Sequence, residues 1–167
     1  MEIFNSILDT INIVLTTIIG IAFGSQLIYT LLFFLPAKKY KKADKKHKFA
    51  IFIPAKNEAD CIVDTIKNLQ QQNYPKELYD IYVIADNCTD NTALLAQNAG
   101  AIVLTHNDPD PNHARPSYAL KFFFDEMLKQ NADYDAYCRF DADNFAHPDY
   151  LDKMNDAYAS GVRLGKA

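Results

Sequence analysis

An uncharged run of 25 residues, Ile11–Leu35, is the feature that most constrains this chain. A helix rises about 1.5 Å per residue, so about 20 apolar residues cross the hydrocarbon core of a bilayer. The alternative is a cleaved signal peptide. The run, however, is longer than a signal h-region, lacks a basic segment before it and ends in LPAKKY instead of a small-residue cleavage site. The run therefore predicts a retained transmembrane helix, with residues 1–37 as a membrane anchor.

A basic segment follows the apolar run. Residues 38–48 contain seven Lys and one Asp, whereas residues 1–37 contain two acidic side chains and no basic one. Basic residues beside a membrane helix mark its cytoplasmic end. We therefore expect a single-pass protein of the cell membrane with a cytoplasmic C-terminal domain. Residues 38–48 are expected to form a juxtamembrane linker, either solvated or in contact with anionic head groups.

The charge balance and the Cys and His spacings exclude several classes of protein. The formal net charge of −4 leaves −8 on residues 49–167, so we expect no binding of nucleic acid by bulk electrostatics. The three Cys form no CxxC pair and the four His show no HExxH spacing, which argues against a zinc site or a disulfide framework. The chain also lacks the GxxxxGK[ST] of a P-loop ATPase and a Gly-rich first loop of the nucleotidyltransferase type.

Strand-like and helix-like patterns alternate from residue 49 onward. Apolar runs predict strands over 49–54, 79–85, 101–105 and 134–140. Helical spacing predicts helices over 58–72, 90–99 and 117–130, and a last helix between Pro148 and Gly161. We further expect Asn57 to cap the first helix of this domain and Gly100 to end the second. The alternation predicts an α/β fold with a parallel sheet and helices on both faces.

Polar segments follow three of the predicted strands: PAKNE at 54–58, DNCTD at 86–90 and DADN at 141–144. In parallel sheets ligands bind at the carboxyl ends of the strands, so the three segments are expected to meet at one edge. Each segment alone has an ordinary explanation, because Asn57 and Asp90 are good helix N-caps and Asp is common in loops.

Asp141 and Asp143 are harder to explain in that way. Two carboxylates so close together repel each other unless a cation binds beside them. Oxygen ligands favour Mg²⁺ or Mn²⁺, and a site that also takes phosphate oxygens and water suits Mg²⁺ well. The pair therefore indicates a metal-bound diphosphate.

Together these segments resemble family-2 glycosyltransferases of the GT-A fold, in particular the membrane-anchored bacterial ones. The matching segments are IFIPAKNE, VIADNCTDNTALLA, GAIVLTH, SYAL and YCRFDADNFAHPDYLDKMN, which cover residues 49 to about 160. The resemblance implies a Rossmann-like, nucleotide-binding GT-A domain over residues 49–167. It also implies transfer of a sugar, with inversion, from a nucleotide-sugar to an acceptor hydroxyl. The donor is expected to be a UDP-sugar, and the sequence leaves open whether the acceptor is a saccharide or a lipid.

The resemblance also implies a set of site residues. Those expected to bind the donor nucleotide are Pro54, Asn57, Glu58, Asp86 and Asp141. Asp141 and Asp143 form a DxD pair that is expected to bind Mg²⁺ or Mn²⁺. In such enzymes the metal neutralises the leaving UDP as a Lewis acid.

Two departures from the family pattern bear on function. Where relatives have a GKGxAL turn, this chain has Ala114–Leu120, with Pro116 at the Lys position and Arg115 beside it as a partial substitute. The base carboxylate and the QxxRW motif of the family would follow the last residues of this sequence, which contains no Trp. We therefore expect a truncated, donor-binding half without an assigned catalytic base. The alternative is an inactive pseudoenzyme or a membrane module that binds nucleotide-sugars.

Overall fold

The computed structural model describes residues 1–34, 40–110 and 116–163. The chain divides into two compact units, Met1–Lys39 and Tyr40–Ala167. The first unit contains α1 (Glu2–Phe33), which begins well before the uncharged run. By length and composition, Ile3–Phe33 could cross a membrane, with a mean hydropathy of 1.9 and none of its most apolar window buried.

The second unit is an α/β domain with a four-stranded parallel sheet. Its elements are β1 (Phe49–Ala55), α2 (Ile62–Leu69), a 3₁₀ helix (Lys76–Leu78), β2 (Tyr79–Asp86), α3 (Thr92–Asn98), β3 (Ile102–His106), α4 (Pro116–Lys129), β4 (Ala136–Arg139) and α5 (Tyr150–Ala159). The strand order is β3-β2-β1-β4, and every pair is parallel. The predicted fold class, a parallel sheet with flanking helices after one long apolar helix, is confirmed.

Strand β1 lies in the interior of the sheet and is buried on both faces. Phe49, Ile51 and Ile53 pack in one apolar cluster with residues of α2, α3 and α5. Ala50 and Phe52 pack in a second cluster with α4. A strand covered on both faces has no polar side, which explains why β1 reads as a continuous apolar run.

The basic segment before β1 contacts the domain. Lys46 forms an ion pair with Asp152 of α5, and its hydrogen bond lowers the pKa of the Asp152 carboxyl. The backbone N–H of His47 donates to Asn155 Oδ1 at 3.0 Å. Ala43, Lys46 and His47 are thus attached to α5 by hydrogen bonds and an ion pair.

The predicted start of one helix is wrong, and the predicted end of another is confirmed. The helix predicted over 58–72 begins only at Ile62, and Asn57 does not cap it, because Asn57 adopts a left-handed backbone with φ 58°. Gly100 has φ 90° and follows α3 as predicted. The N–H of Ala101 donates to Ala96 O at 3.1 Å, which is the hydrogen bond of a Schellman C-cap.

We predict that Phe123→Ala lowers the free energy of unfolding by about 3–5 kcal/mol, as is usual for a buried aromatic residue. Phe123 has no exposed surface and stacks on Phe52 with ring centroids 4.5 Å apart. Leu128→Ala is the control, because Leu128 lies on the same helix and is 76% exposed. Urea unfolding of the full chain in detergent micelles, followed by tyrosine fluorescence, measures both. Equal losses would contradict the packing of α4 on β1.

Candidate functional site

The loops after β1 and β2 are joined by hydrogen bonds at the carboxyl edge of the sheet. Asn57 Oδ1 accepts from the backbone N–H of Thr89 at 2.8 Å and from its hydroxyl at 3.3 Å. The N–H of Glu58 donates to Thr92 Oγ1 at 2.9 Å. Two of the expected site residues are thereby fixed, Asn57 against the second loop and Glu58 against the first residue of α3.

Asparagine shapes both of these loops. Asn57 and Asn87 each follow the end of a strand and have positive φ, 58° and 49°. Asn adopts this left-handed backbone more readily than other non-glycine residues because its short amide bonds locally. The Asn87 amide does so here, since its Nδ2 donates to Asp86 Oδ1 at 3.0 Å. Its Oδ1 accepts from the N–H of Asp108 of the next loop at 2.9 Å.

Pro54, the last residue of the strand predicted over 49–54, lies inside β1, which continues to Ala55. It pairs in register with Ile84 of β2, whereas the β4 ladder ends at Phe52. Pro54 has no backbone N–H to donate, and it lies beyond the last residue of β1 that pairs with β4.

Asp86 ends β2 and is a buried carboxylate, 8% exposed. Its Oδ1 lies 2.8 Å from His106 Nδ1 and accepts from Asn87 Nδ2 at 3.0 Å. The His106 ring lies against the ring of Phe122, with centroids 4.6 Å apart. The sequence patterns did not indicate His106 as a site residue, because the third strand was predicted to end at residue 105. The register of β2 with β3, which pairs Asp86 with His106, is the signal that identifies it.

The Asp141 and Asp143 carboxylates follow β4 on a turn. Both residues are exposed, whereas Ala142 between them is 5% exposed and packs in the core. Arg139 Nη2 lies 3.0 Å from Asp141 Oδ1, and both side chains are more than half exposed. A solvent-exposed pair of this kind contributes little stability. Both carboxylates are therefore accessible for binding from the solvent side.

Three polar side chains from α2 and the turn after it hold the loop that contains Ala142. The Thr65 hydroxyl donates to Ala142 O. The Asn68 amide donates to the carbonyl of Ala146 and accepts from its N–H. The Gln72 amide donates to His147 O and accepts from the N–H of Leu151. We call these three side chains the α2 clamp. The sequence patterns did not indicate these three residues. Polar residues at i, i+3 and i+7 within a helical pattern are the signal that could have revealed them.

After the larger effect of burial, the charges of the loop after β1 and of the turn after β4 both raise the pKa of Cys61. The Sγ of Cys61 lies 3.4 Å from Glu58 Oε2. Burial raises the pKa of the Cys61 thiol, and the hydrogen bond to Glu58 and the charges of Glu58, Asp143 and Asp60 raise it further. Glu58 and Asp143, which are far apart in sequence, thus lie close enough to share an electrostatic neighbour.

The acidic residues of this edge suit a cation that takes most of its ligands from water and from a bound phosphate group. Across residues 1–34, 40–110 and 116–163, no group of three or more His, Cys, Asp and Glu side chains could hold a metal ion. Asp141 and Asp143 offer exposed oxygen ligands. Such a donor set fits Mg²⁺ or Mn²⁺ with water and phosphate oxygens as the remaining ligands.

The turn that departs from the GKGxAL pattern is partly described. Arg115 lies outside the described residues. Pro116 is the first residue of α4, a position that suits Pro because the first helical N–H has no partner within the helix. The Pro at the usual Lys position therefore has a structural role at the start of α4.

A parallel sheet with polar loops gathered at its carboxyl edge places the chain in the class of α/β domains that bind ligands at that edge. The family described as glycosyl transferase family 2 matches residues 50–162. The match covers more than half of the 167 residues, so the chain belongs to glycosyl transferase family 2, a family of transferases. A search of curated proteins finds no match to this sequence.

Solved structures confirm the GT-A fold. The mannosyltransferase PcManGT from Pyrobaculum calidifontis, in complex with GDP-Man and Mn²⁺, is 18% identical with a TM-score of 0.61 over 80% of this chain and 40% of its own. TarS 1-349 from S. aureus is 22% identical with a TM-score of 0.51 over 67% of this chain and 31% of its own. Its complex with UDP-GlcNAc is 20% identical, with a TM-score of 0.50 over 67% and 30%. This chain thus spans less than half the length of these proteins.

We predict that Glu58→Gln speeds alkylation of Cys61. The charge of Glu58 raises the pKa of the thiol, so its removal lowers that pKa and increases the thiolate fraction at a given pH. One pKa unit changes this fraction about tenfold, and we expect an acceleration of about twofold to tenfold. Mass spectrometry of the Cys61 peptide after iodoacetamide treatment at pH 8 measures the rate.

Glu77→Gln is the matched control, because Glu77 is exposed on the 3₁₀ helix and contributes nothing to the Cys61 pKa. Cys138 is an internal reference, since burial raises the pKa of its thiol to about 11. An unchanged Cys61 rate in Glu58→Gln would contradict the proximity of these two side chains.

Proposed function

We propose that this protein is a membrane-anchored glycosyltransferase polypeptide whose described domain binds a UDP-sugar together with a divalent cation. The observation that carries the proposal is the convergence of three acidic loops at one sheet edge. Asn57 ties the first loop to the second, and Glu58 and Asp143 act on the same thiol. Membership of glycosyl transferase family 2 supports a nucleotide-sugar as the ligand.

The nucleoside is proposed to bind between the loops after β1 and β2. Asp86 is a buried acceptor at the end of β2, and a carboxylate accepts N–H donors such as the N3–H of uracil. Pro54 near the end of β1 and Asn57 and Glu58 in the loop after it are proposed to contact the base and ribose. TarS has been crystallised with UDP-GlcNAc, which supports a uridine donor.

The diphosphate is proposed to bind at Asp141 and Asp143 through Mg²⁺ or Mn²⁺. The two exposed carboxylates would hold the cation, and the second Asp would be its principal protein ligand. When bound, the cation neutralises the charge that develops on the leaving nucleoside diphosphate. The PcManGT complex contains both GDP-Man and Mn²⁺, which supports a divalent cation.

The reaction is proposed to be transfer of the sugar to an acceptor hydroxyl with inversion, as the family resemblance implies. We assign no catalytic base, because none of the carboxylates in the described part of the chain lies in a motif that matches the family base. A second candidate function is nucleotide-sugar binding without transfer. It is favoured by Pro116, which opens α4 at the position where relatives carry Lys.

The domain arrangement is proposed to be an anchor over residues 1–37, a basic juxtamembrane segment over 38–48 and the GT-A domain over 49–167. The long apolar helix Ile3–Phe33 supports the anchor. The seven Lys of the basic segment support a cytoplasmic domain. A cytoplasmic domain would have direct access to nucleotide-sugars made in the cytosol.

We predict that the full chain binds UDP in the presence of Mn²⁺ and that Asp143→Ala weakens this binding by about tenfold or more, as expected for the loss of a charged ligand. Isothermal titration calorimetry in detergent micelles measures the affinity. Asp133→Ala is the control, because Asp133 is exposed and lies before β4, at the other end of that strand. Absence of UDP binding to the unaltered chain would refute the donor site.

A second measurement distinguishes transfer of the sugar from binding of the UDP-sugar alone. Release of UDP from a panel of UDP-sugars, with and without candidate saccharide and lipid acceptors, reports turnover. Turnover supports the transferase, whereas UDP binding without any turnover supports the binding module.

A further inference from the structure

We propose that His106 is a positioning residue that makes the donor site select uracil over cytosine, by fixing which oxygen of Asp86 faces the base. This inference rests on the proposed function, since it takes Asp86 as the acceptor for the nucleobase. His106 stands at the end of β3, beside Asp86 in the strand register.

The hydrogen bonds to the Asp86 carboxylate are one-sided. Within the described part of the chain, both side-chain donors to it, His106 Nδ1 and Asn87 Nδ2, end on Oδ1, at 2.8 Å and 3.0 Å. A carboxylate can accept through both of its oxygens, and Oδ2 of Asp86 receives neither of these donors. The carboxylate is thus oriented with one oxygen held by the protein and the other left for a ligand.

His106 is itself held in place. Its carbonyl accepts from the N–H of Asn87 at 2.8 Å, which fixes the backbone. The ring of Phe122 packs on the imidazole with centroids 4.6 Å apart. The His106 side chain is only 15% exposed. These contacts keep Nδ1 aimed at the carboxylate, and Nδ1 carries the proton in this pair because a carboxylate only accepts.

The chemistry of the two pyrimidines turns this orientation into selectivity. At ring position 3 uracil presents an N–H donor, whereas cytosine presents an unprotonated nitrogen acceptor. A carboxylate oxygen pairs with the first and leaves the second without a partner, which is costly at a buried position. A freely rotating carboxylate could turn away from cytosine, but one pinned through Oδ1 cannot. Selectivity therefore depends on His106 as well as on Asp86.

Isothermal titration calorimetry of the full chain with UDP and CDP, in micelles with Mn²⁺, tests the inference. The unaltered chain is expected to bind UDP more tightly than CDP. In His106→Leu we expect UDP affinity to fall about tenfold, the size of one lost hydrogen bond to a charged group, with little change for CDP. His106→Asn keeps an N–H donor near the Nδ1 position and is expected to restore most of the UDP/CDP ratio.

Asp86→Asn gives a test that does not depend on altering His106. Because His106 donates to Oδ1, the amide of Asn must place its carbonyl oxygen there and its NH₂ at the Oδ2 position. The site then offers a donor to the base, and we expect the preference to reverse toward CDP. Retained preference for UDP in Asp86→Asn would overturn the inference.

The controls separate positioning from a structural role. Glu77→Gln removes an exposed charge on the 3₁₀ helix, outside the proposed site, and it is expected to leave both affinities unchanged. An equal fall for UDP and CDP in His106→Leu, or no rescue by His106→Asn, would overturn the inference while UDP binding by the unaltered chain upheld the proposed function. Absence of UDP binding by the unaltered chain would overturn both.

Discussion

Burial of β1 on both faces is the constraint on which the rest of the domain depends. One row of its side chains packs under α2, α3 and α5, and the other packs under α4. Strand β1 also pairs on both sides, with β2 and β4. Each fully buried aliphatic or aromatic side chain contributes about 1.5–3 kcal/mol, so β1 cannot shift without losing several of them. Its fixed position aligns the carboxyl ends of the neighbouring strands, where Asp86 and Asp141 lie.

The sequence predicts the order of the elements because strand and helix periodicities are local properties. It predicts the outcome at Gly100 for the same reason, since a left-handed residue after a helix involves only its neighbours. It fails where a distant partner decides the local structure. Asn57 resembles an N-cap in sequence, yet its amide bonds Thr89 of another loop. The role of His106 depends on Asp86, which lies on the neighbouring strand and only becomes its neighbour through the β2–β3 register.

The electrostatics of the candidate site follow from its composition. Glu58, Asp141 and Asp143 bring negative charge to one edge of an already acidic domain, and the cation beside them among the described contacts is Arg139, paired with Asp141. A diphosphate approaching this edge alone would be repelled. A divalent cation reverses the local sign, which is the physical reason for including a metal in the proposed diphosphate site.

The α2 clamp holds the loop after β4 through backbone atoms of Ala142, Ala146 and His147, not through their side chains. The position of this loop therefore does not depend on which side chains it carries. Side chains at exposed positions 144 and 145 can be exchanged without altering any of these hydrogen bonds. The loop offers a fixed frame on which new ligand contacts can be engineered, or can arise by mutation, while the two Asp residues keep their places.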